Sequence, residues 1–323
     1  MSVYTRVPHY DLGEFLSLYH IGSMTSFDGI QEGIDNSNYF LSTTQGDYVL
    51  TVFETLSMDE VPLCMELMHY LSRHGVPCAE PVASNSGRYV MTLMGKPASI
   101  VLRLQGESIN EAGLEHISAL GAAMARWHSA TDEKLGIAGF ARQREDRYGK
   151  KWCRRTAQLL MPQLSVDEQN LLKEELRLHR YYTHSKLPLG IIHGDLFRDN
   201  ALFEQGRLSG IIDLYDCCSG PFLYDIAVAV NDWCRDHRGE LNIRKTEQFL
   251  ASYHNVRRLN ATERGAWPIL LRAAALRFWL SRLQVRQNPQ RADLRLKKDP
   301  LQYKNILQNC ILEESLLTTL WVN

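Results

Sequence analysis

Three polar residues, Asp195, Asn200 and Asp213, have the types and the spacing that phosphoryl transfer requires. Transfer of a phosphoryl group needs an acceptor hydroxyl held in line, a group that takes its proton, and positive charge against the phosphates. Asp195 can take the proton, whereas the oxygens of Asn200 and Asp213 are hard ligands of the kind that Mg²⁺ prefers. The three residues therefore indicate ATP-dependent transfer of phosphate to a hydroxyl group.

The order of these residues is that of a kinase catalytic loop, in which an Asp is the base, an Asn five positions later binds metal and a second Asp lies beyond. Single Asp, Gly and Asn residues favour turns for local reasons alone, so the prediction depends on all three positions together. His193 is predicted to orient the loop through hydrogen bonds rather than to transfer a proton. Asp225, at the start of an apolar run, is predicted to cap a helix or steady the loop rather than to bind metal.

The first third of the chain favours a small antiparallel sheet with one inserted helix. The predicted elements are strands over 38–43 and 48–53, a helix over 62–73, and strands over 88–93 and 98–104.

Long helices are predicted after residue 106, with the catalytic residues on a short β-rich stretch between two of them. Ser108 and Ser165, each followed three residues later by Glu, predict helix starts through capping boxes. Asp299 with Pro300 predicts the start of a last helix that ends near Trp321. The sequence therefore predicts a bilobal α+β fold: a small amino-terminal lobe over 1–104 and a mainly helical catalytic lobe over 105–323.

Composition excludes several classes of function. The net charge is −1 over 323 residues, which gives no reason to expect nucleic acid or an anionic membrane as partner. No stretch reaches the roughly 20 apolar residues of a membrane span, and the amino terminus has no secretory signal pattern. Seven Cys without paired metal spacing indicate reduced thiols and a cytoplasmic location. Nothing in the sequence indicates an oligomeric state.

The motif His193–Phe203, HGDLFRDNALF, resembles the signature of the homoserine kinases within the aminoglycoside phosphotransferase and choline kinase superfamily. Similar stretches at Glu32–Tyr39, Gly75–Cys78 and Arg272–Arg282 extend the resemblance over nearly the whole chain. The resemblance implies a protein-kinase-like fold and the phosphorylation of the side-chain hydroxyl of L-homoserine with MgATP, on the route to threonine. Spacing alone supports only an ATP-dependent kinase of a small hydroxyl compound.

The resemblance also implies where the nucleotide binds. A loop of small residues between the first two strands would cover the phosphates through backbone amides, with Gly33, Asn36, Ser37 and Asn38 as its contributors. The backbone of Arg103 and Leu104 would meet the adenine.

One expected residue is missing from the nucleotide side. Kinases of this fold place a Lys on the third strand against the phosphates, and Thr51 occupies that position. No Lys or Arg occurs from Val7 through Ser72, and the first Lys, Lys96, lies in the turn before the adenine-binding strand. The phosphate charge is therefore expected to be met by Mg²⁺, loop amides and a cation from the second lobe.

An amino-acid acceptor requires a cation for its carboxylate and an acidic or carbonyl group for its ammonium. An Arg fork suits a carboxylate because it can bind both oxygens. The candidates are Arg198, Asp199, Tyr215, Asp216, Arg277 and Arg282.

Two alternatives stay open at this point. The same fold could act on choline, which calls for an aromatic and acidic cage, or on an amino sugar, which calls for an acidic cleft. Residues 1–95 hold three Arg, no Lys and eleven Asp or Glu, so the remainder is basic and better suited to a carboxylate-bearing acceptor. The second alternative, a nucleotide-binding scaffold without catalysis, is suggested by the missing Lys, although a scaffold has no need of Asp195. A P-loop kinase is excluded because its glycine motif is absent.

Overall fold

A computed structural model describes residues 4–30, 36–132, 149–181, 186–287 and 299–322. Contacts divide the chain into two compact units, one of Met1–Glu107 with Ala201–Tyr215, the other of Ser108–Asn200 with Asp216–Asn323. The first long segment ends three residues beyond the lobe boundary drawn after residue 104. The grouping of Ala201–Tyr215 with the amino-terminal part was not foreseen from the sequence.

The strands are β1 (Met24–Gly29), β2 (Asn36–Thr43), β3 (Gly46–Phe53), β4 (Val90–Leu93), β5 (Lys96–Leu102), β6 (Glu107–Ser108), β7 (Leu189–Ile192), β8 (Ala201–Glu204), β9 (Arg207–Ile211) and β10 (Cys218–Pro221). The helices are α1 (His9–Leu16), α2 (Val61–Arg73), α3 (Leu114–Ala130), α4 (Lys150–Leu160), α5 (Val166–Tyr181), α6 (Phe222–Trp233), α7 (Ile243–Val256), α8 (Ala261–Gln287), α9 (Pro300–Leu312) and α10 (Glu314–Thr319).

The first unit contains a five-stranded antiparallel sheet of order β1-β2-β3-β5-β4. Four of its strands and α2 begin and end within two residues of the predicted bounds, and β1 and α1 are additions to the prediction. One face of the sheet buries aliphatic side chains such as Leu41, Leu50 and Ile100, each 0% exposed. This burial fixes the register, because a slip by one residue would turn the apolar set to the opposite face.

A hairpin of β8 and β9 completes the first unit. Ala201 pairs with Ile211 at its open end, and Glu204 pairs with Arg207 next to the turn. The two turn residues, Gln205 and Gly206, both have positive φ angles, 48° and 78°, as a two-residue turn between twisted strands requires. The chain therefore enters and leaves the hairpin at one end.

The second unit is mainly helical. Its longest helix, α8, packs against α6 and α9 and buries Trp267, Leu271 and Trp279. Strands β7 and β10 form a short antiparallel pair in which Gly190 lies opposite Gly220. Among the described residues, no helix is long and apolar enough to cross a membrane.

The predicted helix caps have different outcomes. The capping box at Ser165 is confirmed, because Glu168 N donates to Ser165 Oγ at 3.3 Å and Ser165 N donates to Glu168 Oε2 at 3.0 Å. The start at Pro300 is confirmed as well, since the Asp299 side chain accepts from Leu301 N. The helix start predicted at Ser108 is wrong: Ser108 ends strand β6, and α3 begins at Leu114. The last helix is interrupted after Leu312 and does not run unbroken to Trp321.

Gly190→Ala tests the close packing of the β7–β10 pair. A Cβ at Gly190 would lie under 3.0 Å from the Thr131 carbonyl oxygen and the Phe222 ring. Because neither can move freely, overpacking should lower the free energy of unfolding by about 1–3 kcal/mol. Chemical denaturation would measure it. Gly265→Ala is the matched control, since no atom lies within 4 Å of its Cβ position in α8 and Ala favours the helix. Equal stability of Gly190→Ala and the native protein would contradict this account.

Candidate active site

The predicted catalytic residues lie on a loop that follows β7 and ends where β8 begins, His193–Asn200, hereafter the catalytic loop. Its last three residues form a single 3₁₀ turn. His193 and Asn200 are buried, being 1% and 8% exposed, whereas Asp195 between them is partly exposed. The loop thus presents the predicted base to solvent and holds the residues on either side of it inside.

One buried carboxylate, that of Asp225 in the first turn of α6, binds the start of the catalytic loop. Its Oδ2 accepts the N–H of His193 at 2.9 Å and its Oδ1 accepts the N–H of Gly194 at 2.8 Å. Asp225 is 1% exposed, so an unpaired charge there would be costly, and both oxygens are hydrogen-bonded. The expectation that Asp225 steadies the loop agrees with this geometry.

His128 supports Asp225 from α3. Its Nε2 lies 3.0 Å from Asp225 Oδ2, and its Nδ1 lies 2.7 Å from the Tyr253 hydroxyl. Burial lowers the pKa of His128, although Asp225 opposes the shift, so the ring is neutral and donates from Nε2. Burial alone would raise the pKa of Asp225, but the hydrogen bonds from His128 and from the Gly194 N–H outweigh it and lower that pKa. The carboxylate therefore stays ionised.

Side-chain donors also hold the carbonyl groups of the catalytic loop and of the strand before it. The bonds are Trp127 Nε1 to Ile191 O at 2.8 Å, Trp233 Nε1 to Leu196 O at 3.0 Å, and the Arg277 guanidinium to Gly194 O. Arg277, a predicted acceptor contact, is 4% exposed and serves the loop backbone in this structure. The loop is thereby fixed by residues from α3, α6 and α8.

Within the catalytic loop, His193 and Asn200 each form a hydrogen bond with the backbone of Asp195. The Asp195 N–H donates to His193 Nδ1 at 3.2 Å, in agreement with an orienting role for the imidazole. The Asn200 amide Nδ2 donates to Asp195 O at 2.8 Å, which leaves Oδ1 as the atom that could bind a metal. The loop is therefore closed on itself around Asp195.

Arg198 is held by an acid that sequence reasoning missed. Its backbone N–H and its Nε both donate to Asp232 Oδ2, at 2.9 and 3.2 Å, and its NH1 donates to Asn110 O at 2.7 Å. Asp199, the next predicted acceptor contact, is exposed. Arg198 therefore helps to hold the catalytic loop in place, and it is also a candidate cation for the acceptor carboxylate.

Arg282 on α8 is buried beside Tyr303. It is 8% exposed, its guanidinium lies 4.3 Å over the Tyr303 ring, and its NH1 donates to Asp299 O and Gln302 Oε1. Burial lowers its pKa, opposed by Tyr303 and by the carboxylates of Asp232 and Asp195. Its Nε and the Tyr303 hydroxyl have no hydrogen-bond partner within the described part of the chain.

The predicted metal ligand of the first unit, Asp213, follows β9. Its side chain is exposed, and its φ angle of 62° is in the left-handed region that side chains other than Asn and Asp rarely adopt. Leu214, next in the chain, is 0% exposed. Tyr215 and Asp216, both partly exposed, complete a 3₁₀ turn from Leu214.

The side chains of the predicted phosphate-binding residues at the start of β2 are bonded to other groups of the first unit. Ser37 is 0% exposed, and its hydroxyl accepts from the backbone of Tyr4 and Thr5 while donating to Glu54. Asn36 Oδ1 accepts from Glu54 N at 3.4 Å, and Asn38 Oδ1 accepts from the Thr51 hydroxyl at 2.8 Å. Gly33 lies outside the described residues.

Two further predictions concern the other strands of the sheet. Lys96 begins β5 rather than lying in the preceding turn, and its Nζ forms an ion pair with Glu54. Arg103 follows β5, where its N–H donates to Asp47 O at 3.0 Å, so that this amide is already bonded. Its guanidinium lies 4.0 Å over the Phe40 ring, and the adjacent Leu104 packs close to Gly210.

No cluster of three or more His, Cys, Asp or Glu that could hold a metal ion occurs among the described residues. A Mg²⁺ site of the usual kinase type does not need such a cluster. Such sites use one or two protein oxygens and complete the shell with phosphates and water.

Comparison with known proteins shows the family of this chain. A model of the phosphotransferase enzyme family matches residues 26–259. The chain belongs to this phosphotransferase family. A homoserine kinase of Methylobacillus flagellatus is 39% identical over 100% of this chain and 99% of its own length. A homoserine kinase of Neisseria meningitidis serogroup B is 42% identical over 95% of this chain and 99% of its own.

Solved structures show that this phosphotransferase has the protein-kinase-like fold of its family. One such structure is the amicoumacin kinase hAmiN in complex with AMP-PNP, Ca²⁺ and Ami. Its superposition covers 92% of this chain and 92% of hAmiN, with a TM-score of 0.68. At 20% sequence identity, this structural similarity shows the fold and does not identify the acceptor. The predicted fold class is confirmed.

The pH dependence of stability tests the His128–Asp225 pair of this phosphotransferase. Because burial lowers the pKa of His128 below 6.5, the unfolded chain takes up a proton below that pH which the folded chain does not. The free energy of unfolding should therefore fall as pH decreases below about 6.5, by at most about 1.4 kcal/mol per pH unit. Asp225, with its pKa below 3.8, contributes no slope in this range.

Thermal unfolding between pH 5 and 7.5 would measure the slope. His128→Gln keeps a donor for Asp225 but cannot titrate, so its slope should be shallower than that of the native protein. A His128→Gln slope equal to the native one would rule out His128 as the titrating group.

Proposed function

We propose that this protein is a homoserine kinase, which transfers the γ-phosphoryl group of ATP to the side-chain hydroxyl of L-homoserine and forms O-phospho-L-homoserine, a step toward threonine. The observation that carries the proposal is the match over the full chain to homoserine kinases, together with an ordered loop that presents Asp195. The fold alone serves many acceptors, so the acceptor is argued from the relatives and the site.

In this proposal Asp195 accepts the proton of the homoserine hydroxyl as the bond to phosphorus forms. Its partial exposure suits the task, because a base must reach the acceptor while its loop stays fixed. His193 acts through the loop: its Nδ1 accepts the Asp195 N–H and so holds the backbone that carries the carboxylate.

Asn200 and Asp213 would hold Mg²⁺. Their oxygens fit a hard cation, and the orientation of the Asn200 amide leaves Oδ1 for it. The hairpin supports this pairing, since Ala201 pairs with Ile211 and the chain passes Asn200 and Asp213 on either side of that one end. The ion, when bound, neutralises phosphate charge during transfer.

The nucleotide would bind to the sheet of the first unit. Backbone amides of Gly33 and of the first residues of β2, Asn36, Ser37 and Asn38, would meet the phosphates, since the side chains of Asn36, Ser37 and Asn38 are bonded within the first unit. The adenine would meet the backbone groups of Arg103 and Leu104 other than the bonded Arg103 N–H.

The acceptor carboxylate would bind Arg282, whose guanidinium lies near Asp195 and keeps a donor at Nε. Asp232 would attract the ammonium group, and the Tyr303 hydroxyl can bond either end. The other candidates are Arg198, Asp199, Tyr215, Asp216 and Arg277, of which Arg198 binds Asp232 and Arg277 binds Gly194 O.

The alternatives are less well supported. Choline has no carboxylate and would leave the buried Arg282 without an anion, and the full-length relatives are named for homoserine. A non-catalytic scaffold would not require the network that orients Asp195. The seven free thiols fit a reducing, cytoplasmic setting.

Asp195→Asn tests the base. The variant keeps the shape of the side chain but cannot accept the proton, so kcat should fall by about 10²–10⁴. The Kd for an ATP analogue, measured by calorimetry, should stay within about twofold of the native value. Glu174→Gln, at an exposed position on α5, removes the same charge and should not change kcat. Turnover that survives in Asp195→Asn would exclude Asp195 as the base.

Coupled ADP release with homoserine, serine, threonine, choline and an aminoglycoside tests the acceptor. We expect the highest kcat/KM for L-homoserine, and a rise in KM for homoserine of about tenfold or more in Arg282→Met, because a carboxylate loses a charged partner. The activity of Arg282→Met toward acceptors without a carboxylate should change little. Turnover of choline but not of homoserine would overturn the proposal.

A further inference from the structure

The amino-terminal segment is bonded to the first residues of β2, the strand whose start is proposed to meet the phosphates. The backbone N–H groups of Tyr4 and Thr5 both donate to Ser37 Oγ, at 2.8 and 2.9 Å. Two residues further along β2, the Tyr39 hydroxyl donates to Thr5 O and accepts from Val7 N. Ser37 and Tyr39 share one face of β2, because side chains alternate along a strand. The segment is therefore bonded to that face at two positions.

One carboxylate, that of Glu54, joins this segment to the sheet. Glu54 follows directly after β3, and its Oε1 accepts from the Ser37 hydroxyl at 2.6 Å and from the Thr5 hydroxyl at 2.7 Å. Its Oε2 forms an ion pair with Lys96 Nζ, which also donates to the Thr5 hydroxyl at 2.8 Å. Both oxygens of the carboxylate are thus bonded. Thr5, Ser37, Glu54 and Lys96 are hereafter the Glu54 network.

Most of the Glu54 network is withdrawn from water. The Glu54 side chain is 13% exposed and Ser37 is 0% exposed. Burial alone would raise the pKa of Glu54, but the hydrogen bonds from Lys96, Ser37 and Thr5 outweigh it and lower that pKa. The carboxylate therefore stays ionised, and an ionised group in such a place depends on the donors that replace its water.

The Glu54 network acts on the end of β2 that carries the proposed phosphate contacts. The Glu54 carboxylate binds Ser37, and the Glu54 N–H donates to Asn36 Oδ1 at 3.4 Å. One residue thus holds the first two residues of β2. Lys96 is the one Lys of the first unit, and its charge is paired with Glu54.

We propose that Glu54 and Lys96 are positioning residues for phosphate binding, which act through Ser37 to hold the backbone amides at the start of β2. The inference rests on the proposed role of these amides in the nucleotide site. In this account the one Lys of the sheet supports the phosphate site through an ion pair and does not touch the phosphates. The carboxylate should therefore matter as much as the cation.

The test is the contribution of the phosphates to nucleotide binding, measured as the Kd of adenosine divided by the Kd of AMP-PNP. Both constants come from calorimetry with Mg²⁺ and without acceptor. Glu54→Gln and Lys96→Met each remove one charge of the pair. Because the loss of a positioned hydrogen bond changes an affinity several-fold, each variant should lower the ratio by about three- to tenfold.

The Kd of adenosine should not follow this change. Lys96 begins β5 and Arg103 follows its end, so at about 3.3 Å per residue the proposed adenine contacts lie roughly 20 Å from Lys96. Substitutions this far apart act independently in most proteins, so the Kd of adenosine should stay within about twofold of the native value. A loss of adenosine binding as large as that of AMP-PNP would overturn the inference.

Direct contact between Lys96 and a phosphate makes a different prediction. Lys96→Met would then lower the ratio, whereas Glu54→Gln would keep or raise it, because that variant releases the Lys charge. In the positioning account, the double variant should have a ratio close to that of either single variant, since both remove the same ion pair. A fall in Lys96→Met without one in Glu54→Gln, or additive losses in the double variant, would overturn the inference.

A Lys–Glu pair of the second unit supplies matched controls. Lys304 Nζ lies 3.0 Å from Glu168 Oε1, and the two side chains are 23% and 25% exposed. Lys304→Met and Glu168→Gln make the same substitutions there and should keep the native ratio. An equal fall in these variants would assign the effect to a general loss of stability and overturn the inference.

Thr5→Val tests the Glu54 network without a change of charge, and so serves even where a charge change prevents folding. The variant removes the hydroxyl that donates to Glu54 and accepts from Lys96. It should lower the ratio in the same direction as Glu54→Gln, and a native ratio in Thr5→Val would count against the network.

The outcome for the native protein separates the two proposals. AMP-PNP that binds no more tightly than adenosine would overturn the phosphate role of the β2 amides, and this inference with it. Tighter binding of AMP-PNP by the native protein, with unchanged ratios in Glu54→Gln, Lys96→Met and Thr5→Val, would overturn the positioning role alone.

Discussion

The buried carboxylate of Asp225 is the interaction on which the rest of the site depends. Withdrawal of a charge from water costs several kcal/mol unless hydrogen bonds replace the lost hydration. Here the replacement comes from His128 and from two consecutive amides of the catalytic loop, His193 and Gly194. Gly194 has a φ angle of 76°, a conformation that suits Gly, so the loop turns sharply just before Asp195. The hydrogen-bonded carboxylate of Asp225 thus fixes the part of the loop that leads into the proposed base, Asp195.

The two units differ in where their positively charged side chains lie. In the second unit, buried Arg side chains bind loop carbonyls and lie near Asp195 and Asp232, so cations and acids are both present around the proposed base. In the sheet of the first unit, Thr51 occupies the position at which kinases of this fold carry a Lys. The one Lys of that unit, Lys96, is paired with Glu54. We therefore propose that a metal, backbone amides and a cation of the second unit, rather than a Lys of the sheet, meet the phosphate charge in this chain.

The parts of the site that could be predicted are those that depend on neighbours in sequence. The spacing of Asp195, Asn200 and Asp213 is set along the chain itself, and the caps at Ser165 and Asp299 act within three residues. Ser108 has the same capping pattern, but pairing in β6 takes its place, because a tertiary contact can outweigh a local preference. Neither Asp232 nor Tyr303 belongs to a sequence motif. Trp233 and the helices around these two residues have the sequence pattern of an ordinary hydrophobic core. Only their neighbours in the fold show that they lie near Asp195.

The central claim, that this chain phosphorylates the side-chain hydroxyl of homoserine, is tested most directly by the identity of the product. Phosphorus–proton correlated NMR of the reaction with ATP, Mg²⁺ and L-homoserine would show which protons couple to the new phosphate. The account predicts a phosphomonoester signal coupled to the side-chain CH₂ next to oxygen, formed in step with ADP. ADP without that signal, or no reaction with homoserine while another alcohol is phosphorylated, would contradict it.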